Sequence, residues 1–245
     1  MYSFESRVRY SEVDSEGRLT LNSILDYFQD CSAFQSEDLG IGVVFLREKQ
    51  VAWVLVSWHI QVKRYPALGE QIQVATWPYD FKGFYGWRNF RMTAADGEEL
   101  ACANSLWALL DMTSARPVKL LPRLAEAYQL EPPLPMGECP RRMKLPEQLR
   151  AEEPFAVQRF HLDTNQHVNN GKYILMAQEY LPGGFSIGDL RVEYKKSAVY
   201  GDMIYPHVAQ ENERLTVALC DEDRKPYAII ECKHSSHNRQ NSAWL

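Results

Sequence analysis

Residues 160–173 read Phe160-His161-Leu162-Asp163-Thr164-Asn165-Gln166-His167-Val168-Asn169-Asn170-Gly171-Lys172-Tyr173. Within this stretch the polar residues Asp163, Asn165 and His167 are spaced two apart and lead into an apolar helical pattern. Alternate side chains of an extended segment lie on one side of the backbone, so we expect these three to meet at the start of a helix. The unpaired N–H groups and the dipole there favour negative charge. A carboxylate, an amide and an imidazole at such a point can orient water and polarise a carbonyl, although these residue types are also common in loops and helix caps.

The sequence around this stretch predicts a strand, a turn, a helix and then further strands. The predicted elements are the strand Val157–Leu162, the turn Asp163–Val168, the helix Asn170–Tyr180, the strand Ile187–Lys196, and a hairpin of Leu215–Asp221 and Tyr227–His234. Apolar residues recur at helical spacing in the helix, and Pro182-Gly183-Gly184 ends it.

The first half of the chain follows the same plan. Its predicted elements are the strand Phe4–Val13, the turn Asp14–Arg18, the helix Leu21–Leu39, and the strands Val51–Val62, Gln71–Trp77, Gly83–Ala94 and Glu99–Asp111. The helix has a broad apolar face, which comprises Ile24, Leu25, Phe28, Cys31 and Phe34. Thr20 or Asn22 is expected to cap it, and Gly40 to end it. In Val51–Val62 we expect Val54, Val56, Trp58, Ile60 and Val62 to share one face.

The two halves therefore indicate a tandem duplication in an α+β protein. Asp14 corresponds to Asp163, whereas Glu16 and Arg18 stand where the second half has Asn165 and His167. Prolines recur between the halves, which predicts a linker. The expected division is an N-terminal domain over 1–115, a proline-rich linker over 116–154, and a C-terminal domain over 155–245 that carries the polar triplet.

Composition narrows the function. The 245 residues have 45% hydrophobic residues and a net charge of −5, which is typical of a globular protein and argues against nucleic acid as the main partner. The five cysteines include no Cys-x-x-Cys pair, as expected for reduced thiols in a cytoplasmic protein. No signal peptide and no apolar run of membrane-spanning length is present in the sequence, so we expect a soluble, cytoplasmic protein.

Several further motifs carry a resemblance to a known family. They are Trp53-x-Leu55-x-x-Trp58-x-Ile60, Arg64-Tyr65-Pro66-x-x-Gly69-Glu70, Thr76-Trp77-Pro78, Arg88-x-Phe90, Ala103-x-Ser105-x-Trp107-x-Leu109-x-Asp111, Arg116-Pro117 and Asp163-x-Asn165-x-His167-Val168-Asn169-Asn170-x-x-Tyr173. Together they span most of the chain, and the sequence resembles the acyl-acyl carrier protein thioesterases.

The resemblance implies a tandem (double) hot-dog fold, in which two antiparallel sheets each wrap a long central helix. It implies hydrolysis of fatty acyl-acyl carrier protein thioesters, with acyl carrier protein as the partner, no cofactor, and compatibility with a homodimer. One departure matters. Where the plant members have a Glu-Cys pair proposed as catalytic, this chain has Ser197 and Ala198. A covalent Cys-His mechanism therefore has no nucleophile at the expected place, and direct attack by water is favoured.

By the same resemblance, Asn165 and His167 contribute to the site and Asp163 fixes their orientation. The amides of Val168 and Asn169, at the predicted helix N-terminus, are candidate oxyanion donors. The general base is left open among Asp163, His167 and Glu193.

Other readings of the polar residues are weaker. His161 is expected to be structural. No metal is expected, because the spacing of His161, Asp163 and His167 matches no common site.

Two alternatives use the same fold: a hot-dog hydrolase of acyl-coenzyme A, and a non-catalytic acyl-binding module. The intact Asp-x-Asn-x-His argues against the second. For a carrier-protein partner, three basic clusters are candidates for the docking surface. These are Arg141-Arg142-x-Lys144, Lys63-Arg64 and Lys195-Lys196.

Overall fold

The computed structural model describes residues 1–136, 142–163 and 165–235. Within those ranges the helices are α1 (Leu21–Asp38), α2 (Val43–Glu48), α3 (Pro122–Ala127) and α4 (Asn170–Gln178). The strands are β1 (Tyr2–Arg7), β2 (Val51–Val62), β3 (Gln71–Lys82), β4 (Tyr85–Ala94), β5 (Glu99–Asp111), β6 (Arg150–Ala151), β7 (Phe155–Ala156), β8 (Ile187–Tyr194), β9 (Met203–Glu211), β10 (Arg214–Cys220) and β11 (Pro226–His234). No helix in the described part of the chain is both long enough and apolar enough to cross a membrane.

All the strands belong to one antiparallel sheet in the order β1-β3-β4-β5-β2-β8-β11-β10-β9-β6, with β7 also pairing with β9. The two halves meet where β2 pairs with β8, between Ser57↔Glu193 and Gln61↔Asp189. The hydrogen-bond ladder continues across this junction, so the sheets of the two halves form one continuous sheet. The architecture is a large antiparallel sheet with few helices.

The long helix α1 covers the inner face of the first half of this sheet. Thr20 Oγ1 accepts a hydrogen bond from the Ser23 amide at its start, and Gly40 follows its end with a φ of +66°. Phe28 is fully buried, with its ring 5.2 Å from that of Phe90. The predicted helix is confirmed to within one residue, but Phe34 is 45% exposed rather than part of the buried face.

The helix of the second half is shorter than predicted. It covers Asn170–Gln178, nine residues, against eighteen in α1. Asn169 caps it by accepting a hydrogen bond from the Gly171 amide at 2.8 Å. The helices meet at Gly171, where an added Cβ would lie 2.9 Å from Asn22 Oδ1. A larger residue there would therefore have to displace the side-chain amide of Asn22.

The bounds of β2 are as predicted, but a bulge within the strand changes which of its side chains are buried. The pairing of β2 with β5 shifts register between Leu55 and Ser57, which exchanges the two faces on one side of the bulge. Leu55 is consequently 2% exposed and Val54 40% exposed, the reverse of the predicted alternation, whereas Trp58 and Ile60 are buried as expected.

The predicted strands Phe4–Val13 and Val157–Leu162 are wrong in the same way. Each is a short strand followed by a 3₁₀ turn, at Tyr10–Glu12 and Arg159–His161. The last residue of each turn accepts a hydrogen bond from a backbone amide: Arg9 N donates to Glu12 Oε2 (2.8 Å) and Gln158 N to His161 Nδ1 (3.0 Å). These side-chain bonds close the chain into a turn where alternation suggested a strand.

The proline-rich segment after the first half is packed onto the sheet. Leu124 and Tyr128, on and just after α3, join a second apolar cluster that includes Ile41. Further along, Trp77 Nε1 donates to Pro132 O at 3.0 Å, on the sheet face opposite α1. The segment thus covers both sides of the N-terminal sheet, and β6 then pairs with β9.

Candidate active site

The carboxylate of Asp163 holds a tight turn that includes residues 165–168. Its Oδ1 accepts hydrogen bonds from the amides of Asn165 (2.7 Å) and His167 (3.2 Å), and its own amide donates to His167 O (2.7 Å). Gln166 completes the turn with a φ of +63°. The prediction that the three polar side chains share one side of an extended segment was therefore wrong: Asp163 points back onto the backbone, and Asn165 and His167 are exposed.

The first half contains the same turn, built on Asp14. Asp14 Oδ1 accepts from the amides of Glu16 (2.9 Å) and Arg18 (3.0 Å). Gly17 occupies the position of Gln166, with a φ of +69°. The aspartate is thus what both halves need to form this turn, and Asn165 and His167 are what the second half adds.

The amides predicted to form an oxyanion hole are already engaged. Val168 N donates to Ala198 O and Asn169 N to His161 O, both at 2.9 Å. These bonds fix the turn between α4 and the segment after β8. Both amides of the predicted oxyanion site therefore already have backbone acceptors, and the positive end of the α4 dipole lies directly after the turn.

Glu193 lies on the wrong face of the sheet to act at this turn. The next residue, Tyr194, faces α4 and donates its hydroxyl to Asn170 O at 3.0 Å. Successive strand residues point to opposite faces, so Glu193 points away from α4. There its Oε2 accepts a hydrogen bond from Met143 N (2.8 Å) and its Oε1 contacts Lys195 Nζ. The candidate base Glu193 is therefore directed away from the turn and is held by these two partners.

Comparison with known proteins agrees with this architecture. The family model of the acyl-ACP thioesterase N-terminal domain matches residues 1–128, and that of the C-terminal domain matches residues 145–243. The chain belongs to the acyl-ACP thioesterase family.

Individual members of the family are distant relatives. Oleoyl-acyl carrier protein thioesterase 1, chloroplastic, of Arabidopsis thaliana is 27% identical over 196 residues, which are 71% of this chain and 53% of that protein. The chain thus spans about half the length of this curated relative.

Solved structures show the same fold over nearly the whole chain. An acyl-ACP thioesterase from Bacteroides thetaiotaomicron superposes with a TM-score of 0.87 at 22% identity, covering 95% of this chain and 97% of that one. The 12:0-ACP thioesterase from Umbellularia californica gives a TM-score of 0.82 at 18% identity, with the same coverage.

Two tyrosines to which the sequence analysis gave no role support the turn of this acyl-ACP thioesterase family member. Tyr173 is 1% exposed, and its hydroxyl accepts a hydrogen bond from Ala198 N at 2.8 Å. Its ring lies 6.1 Å from that of Tyr194, and burial raises the pKa of both hydroxyls. The first half has Ile24 and Val62 at the corresponding positions, so comparing the two halves of the sequence is the signal that could have found them.

Cysteine chemistry has no support among the described residues of this family member. Cys31, Cys102, Cys220 and Cys232 are all buried and free. Burial raises the pKa of the Cys31, Cys102 and Cys232 thiols to about 12, which keeps them in the unreactive thiol form. Cys139 lies outside the described residues. At the positions of the expected Glu-Cys pair, Ser197 is exposed and Ala198 is fully buried.

The described residues contain no candidate metal site. No group of three His, Cys, Asp or Glu side chains within the described ranges is arranged to hold a metal ion.

Two of the three basic clusters form ion pairs with neighbouring carboxylates. Their ion pairs are Lys63–Glu99 (2.9 Å), Arg64–Glu70 (2.8 Å), Lys195–Glu193 and Lys196–Asp221. Arg141, in the third cluster, lies outside the described residues.

Proposed function

We propose that this protein hydrolyses fatty acyl-acyl carrier protein thioesters to free fatty acid and carrier protein by direct attack of water. The observation that carries the proposal is the duplicated turn. Asp14 and Asp163 hold the same backbone shape in both halves, but only the second presents an exposed amide and imidazole, Asn165 and His167. The family membership supports the same reaction and the same partner.

In this mechanism His167 is the general base. Imidazole can take and return a proton in the pH range where proteins work. The water oxygen attacks the thioester carbon while its proton passes to His167, which gives a tetrahedral oxyanion. Collapse of that intermediate breaks the carbon–sulfur bond, and the proton on His167 returns to the departing thiolate. Asn165 orients the water, and Asp163 acts as a positioning residue through the backbone of the turn.

The fold assignment that accompanies this proposal is a tandem hot-dog. The units are 1–115 and 155–245, joined by 116–154, and the C-terminal unit carries the catalytic turn. The pairing of β2 with β8 supports it, because it joins the two units edge to edge within one chain. A homodimer is compatible with this arrangement and is not needed to complete it. We place the reaction in the cytoplasm, where thiols such as the four free cysteines in the described part of the chain stay reduced.

The test compares matched acyl-carrier-protein and acyl-coenzyme A thioesters in steady-state hydrolysis. We expect a higher kcat/KM with the carrier-protein thioester. Equal or higher efficiency with coenzyme A would contradict the substrate assignment, and no turnover of either would identify a binding module. Mass spectrometry of rapidly quenched reactions should find no acyl group on the protein, because water attacks directly. An acyl adduct would contradict the mechanism.

A further inference from the structure

A cavity of about 330 Å³ lies against α4 and is lined on its other side by His161, two residues before Asp163 of the catalytic turn. It is bounded by the 3₁₀ turn Arg159–His161 on one side and by α4 on the other. This volume is at the lower end of the range for small-molecule sites. Part of its wall is apolar, made by Phe155, Phe160, Leu175 and Met176. We call this cavity the α4 groove.

The polar groups of the α4 groove are divided between its two ends. His161 and Lys172 lie near the start of α4, and Glu179 and Tyr180 near its end. Electrostatic influence follows the same division: after burial, Lys172 lowers the pKa of His161, and after burial and Glu152, Glu179 raises the pKa of Tyr180. The groove therefore has a basic end next to the catalytic turn and an acidic end away from it.

His161 contributes a hydrogen-bond donor at the basic end. Its Nδ1 accepts a hydrogen bond from Gln158 N at 3.0 Å, so that nitrogen carries no proton and the neutral ring carries its proton on Nε2. Burial first, and then the charge of Lys172, lowers the pKa of His161, which agrees with the neutral ring. The basic end thus offers an ammonium and an imidazole N–H.

The first half shows what this position looks like when it is closed. Glu12 corresponds to His161, because Thr20 N donates to Glu12 O as Asn169 N donates to His161 O, both at 2.9 Å. On this alignment Tyr27 corresponds to Met176. The Tyr27 hydroxyl donates to Glu12 Oε2 at 2.8 Å.

The Tyr27 hydroxyl makes a second polar contact in the first half. The Tyr27 hydroxyl lies 3.2 Å from Ser6 Oγ, and Phe155 stands at the position of Ser6 in the second half. A hydrogen-bonded tyrosine therefore fills, in the first half, the space that Met176 and Phe155 line in the second. The fold itself does not require the α4 groove to be open.

We propose that the α4 groove binds the pantetheine arm of the thioester substrate, a proposal that rests on the function proposed above. The arm carries amide groups, a hydroxyl and a pair of methyl groups. Its carbonyl oxygens match the donors on Lys172 and His161, its N–H and O–H groups match Glu179 and Tyr180, and its methyl groups match the apolar wall. A fatty acyl chain in the groove would place methylenes against Glu179. This is unfavourable because the carboxylate would lose hydration without gaining a polar partner.

The test fills the groove and compares two thiol portions of the substrate. Met176→Trp occupies the space, and Lys172→Met removes the ammonium without adding bulk. For an acyl-pantetheine thioester we expect each variant to lower kcat/KM by about tenfold or more, mainly through KM. For an acyl-N-acetylcysteamine thioester, which lacks most of the arm, we expect a change of less than about twofold. Tyr27→Met, the matched change in the first half, should leave the ratio between the two substrates unchanged.

Equal losses on both thioesters, or no loss on either, would overturn the proposal. Calorimetric titration with 4′-phosphopantetheine separates it from the hydrolytic function, because binding needs no turnover. Wild type should bind the probe and Met176→Trp should not, even if neither thioester is hydrolysed. Equal binding by both proteins, or displacement of the probe by laurate from the wild type, would assign the groove to something other than the arm.

Discussion

Substitution of Asp163 distinguishes a residue that builds the turn from one that takes part in chemistry. Asp163→Ala removes the acceptor of two backbone hydrogen bonds, at 2.7 and 3.2 Å. At about 0.5–1.5 kcal/mol each, their loss lowers the free energy of unfolding by about 1–3 kcal/mol. For a chain of 245 residues this lowers Tm by about 2–12 °C. Asp14→Ala removes matching bonds at 2.9 and 3.0 Å and should cost about the same.

The order of the variants in catalytic activity should differ from their order in stability. Asp163→Asn keeps a side-chain oxygen that can accept both amide hydrogen bonds, so the turn survives and kcat should stay within about tenfold of wild type. Asp163→Ala should lose more, because Asn165 and His167 are no longer held in place. Asp14→Ala alters only the turn of the first half and should retain turnover.

The assay pairs thermal unfolding, followed by circular dichroism, with initial rates on an acyl-carrier-protein thioester for all three variants. A loss in Asp163→Asn as large as the ~10²–10⁴-fold expected for a general base would refute the positioning role. In that case the carboxylate itself would belong to the chemistry.

Two further predictions concern the face of the sheet away from α4. Glu193→Gln should leave turnover within about twofold of wild type. It should lower the free energy of unfolding by only about 1 kcal/mol, because Gln can still accept the hydrogen bond from Met143 N. A loss of turnover by orders of magnitude would instead support Glu193 as the general base. At the junction, Asp189 Oδ2 lies 2.8 Å from Nε2 of the buried His59, so Asp189→Ala should cost about 2–4 kcal/mol in urea denaturation at pH 7. Burial alone would raise the pKa of Asp189, but the hydrogen bond and charge of His59 outweigh it and lower that pKa. The contribution of the ionised carboxylate is therefore complete above the ordinary Asp pKa of about 4 and is lost as pH falls through the lowered value, so the cost of Asp189→Ala should shrink at pH 3. A cost independent of pH would contradict this assignment.

Much of the fold could be predicted because periodicity and side-chain chemistry agree there. The helix α1 and the strands β2 and β5 follow their predicted bounds to within a residue. Their apolar spacing and flanking Thr20 and Gly40 leave little choice of structure. The internal repeat was also visible, and it located the turn correctly in both halves.

What could not be predicted depends on bonds between side chain and backbone, or on contacts distant in sequence. Glu12 and His161 close 3₁₀ turns by accepting backbone amide hydrogens, which alternating apolar residues do not reveal. The bulge at Leu55 is set by pairing with β5, and the packing of Tyr128 depends on residues far along the chain.

At the candidate site, the geometry of the turn could not be predicted from the sequence. Nothing in the sequence shows that Asp163 folds back onto its own backbone. The engagement of the Val168 and Asn169 amides by Ala198 and His161 likewise follows from tertiary structure.

The most direct test of the central claim is the hydrolysis rate of His167→Ala beside Arg18→Ala, its counterpart in the first half. The two residues occupy equivalent positions of the two turns, where His167 is exposed and Arg18 is partly buried. With an acyl-carrier-protein thioester, His167→Ala should lower kcat by about 10²–10⁴-fold while its Tm stays near that of wild type. Arg18→Ala should keep wild-type turnover. A fully active His167→Ala would contradict the claim that the second-half turn performs the chemistry.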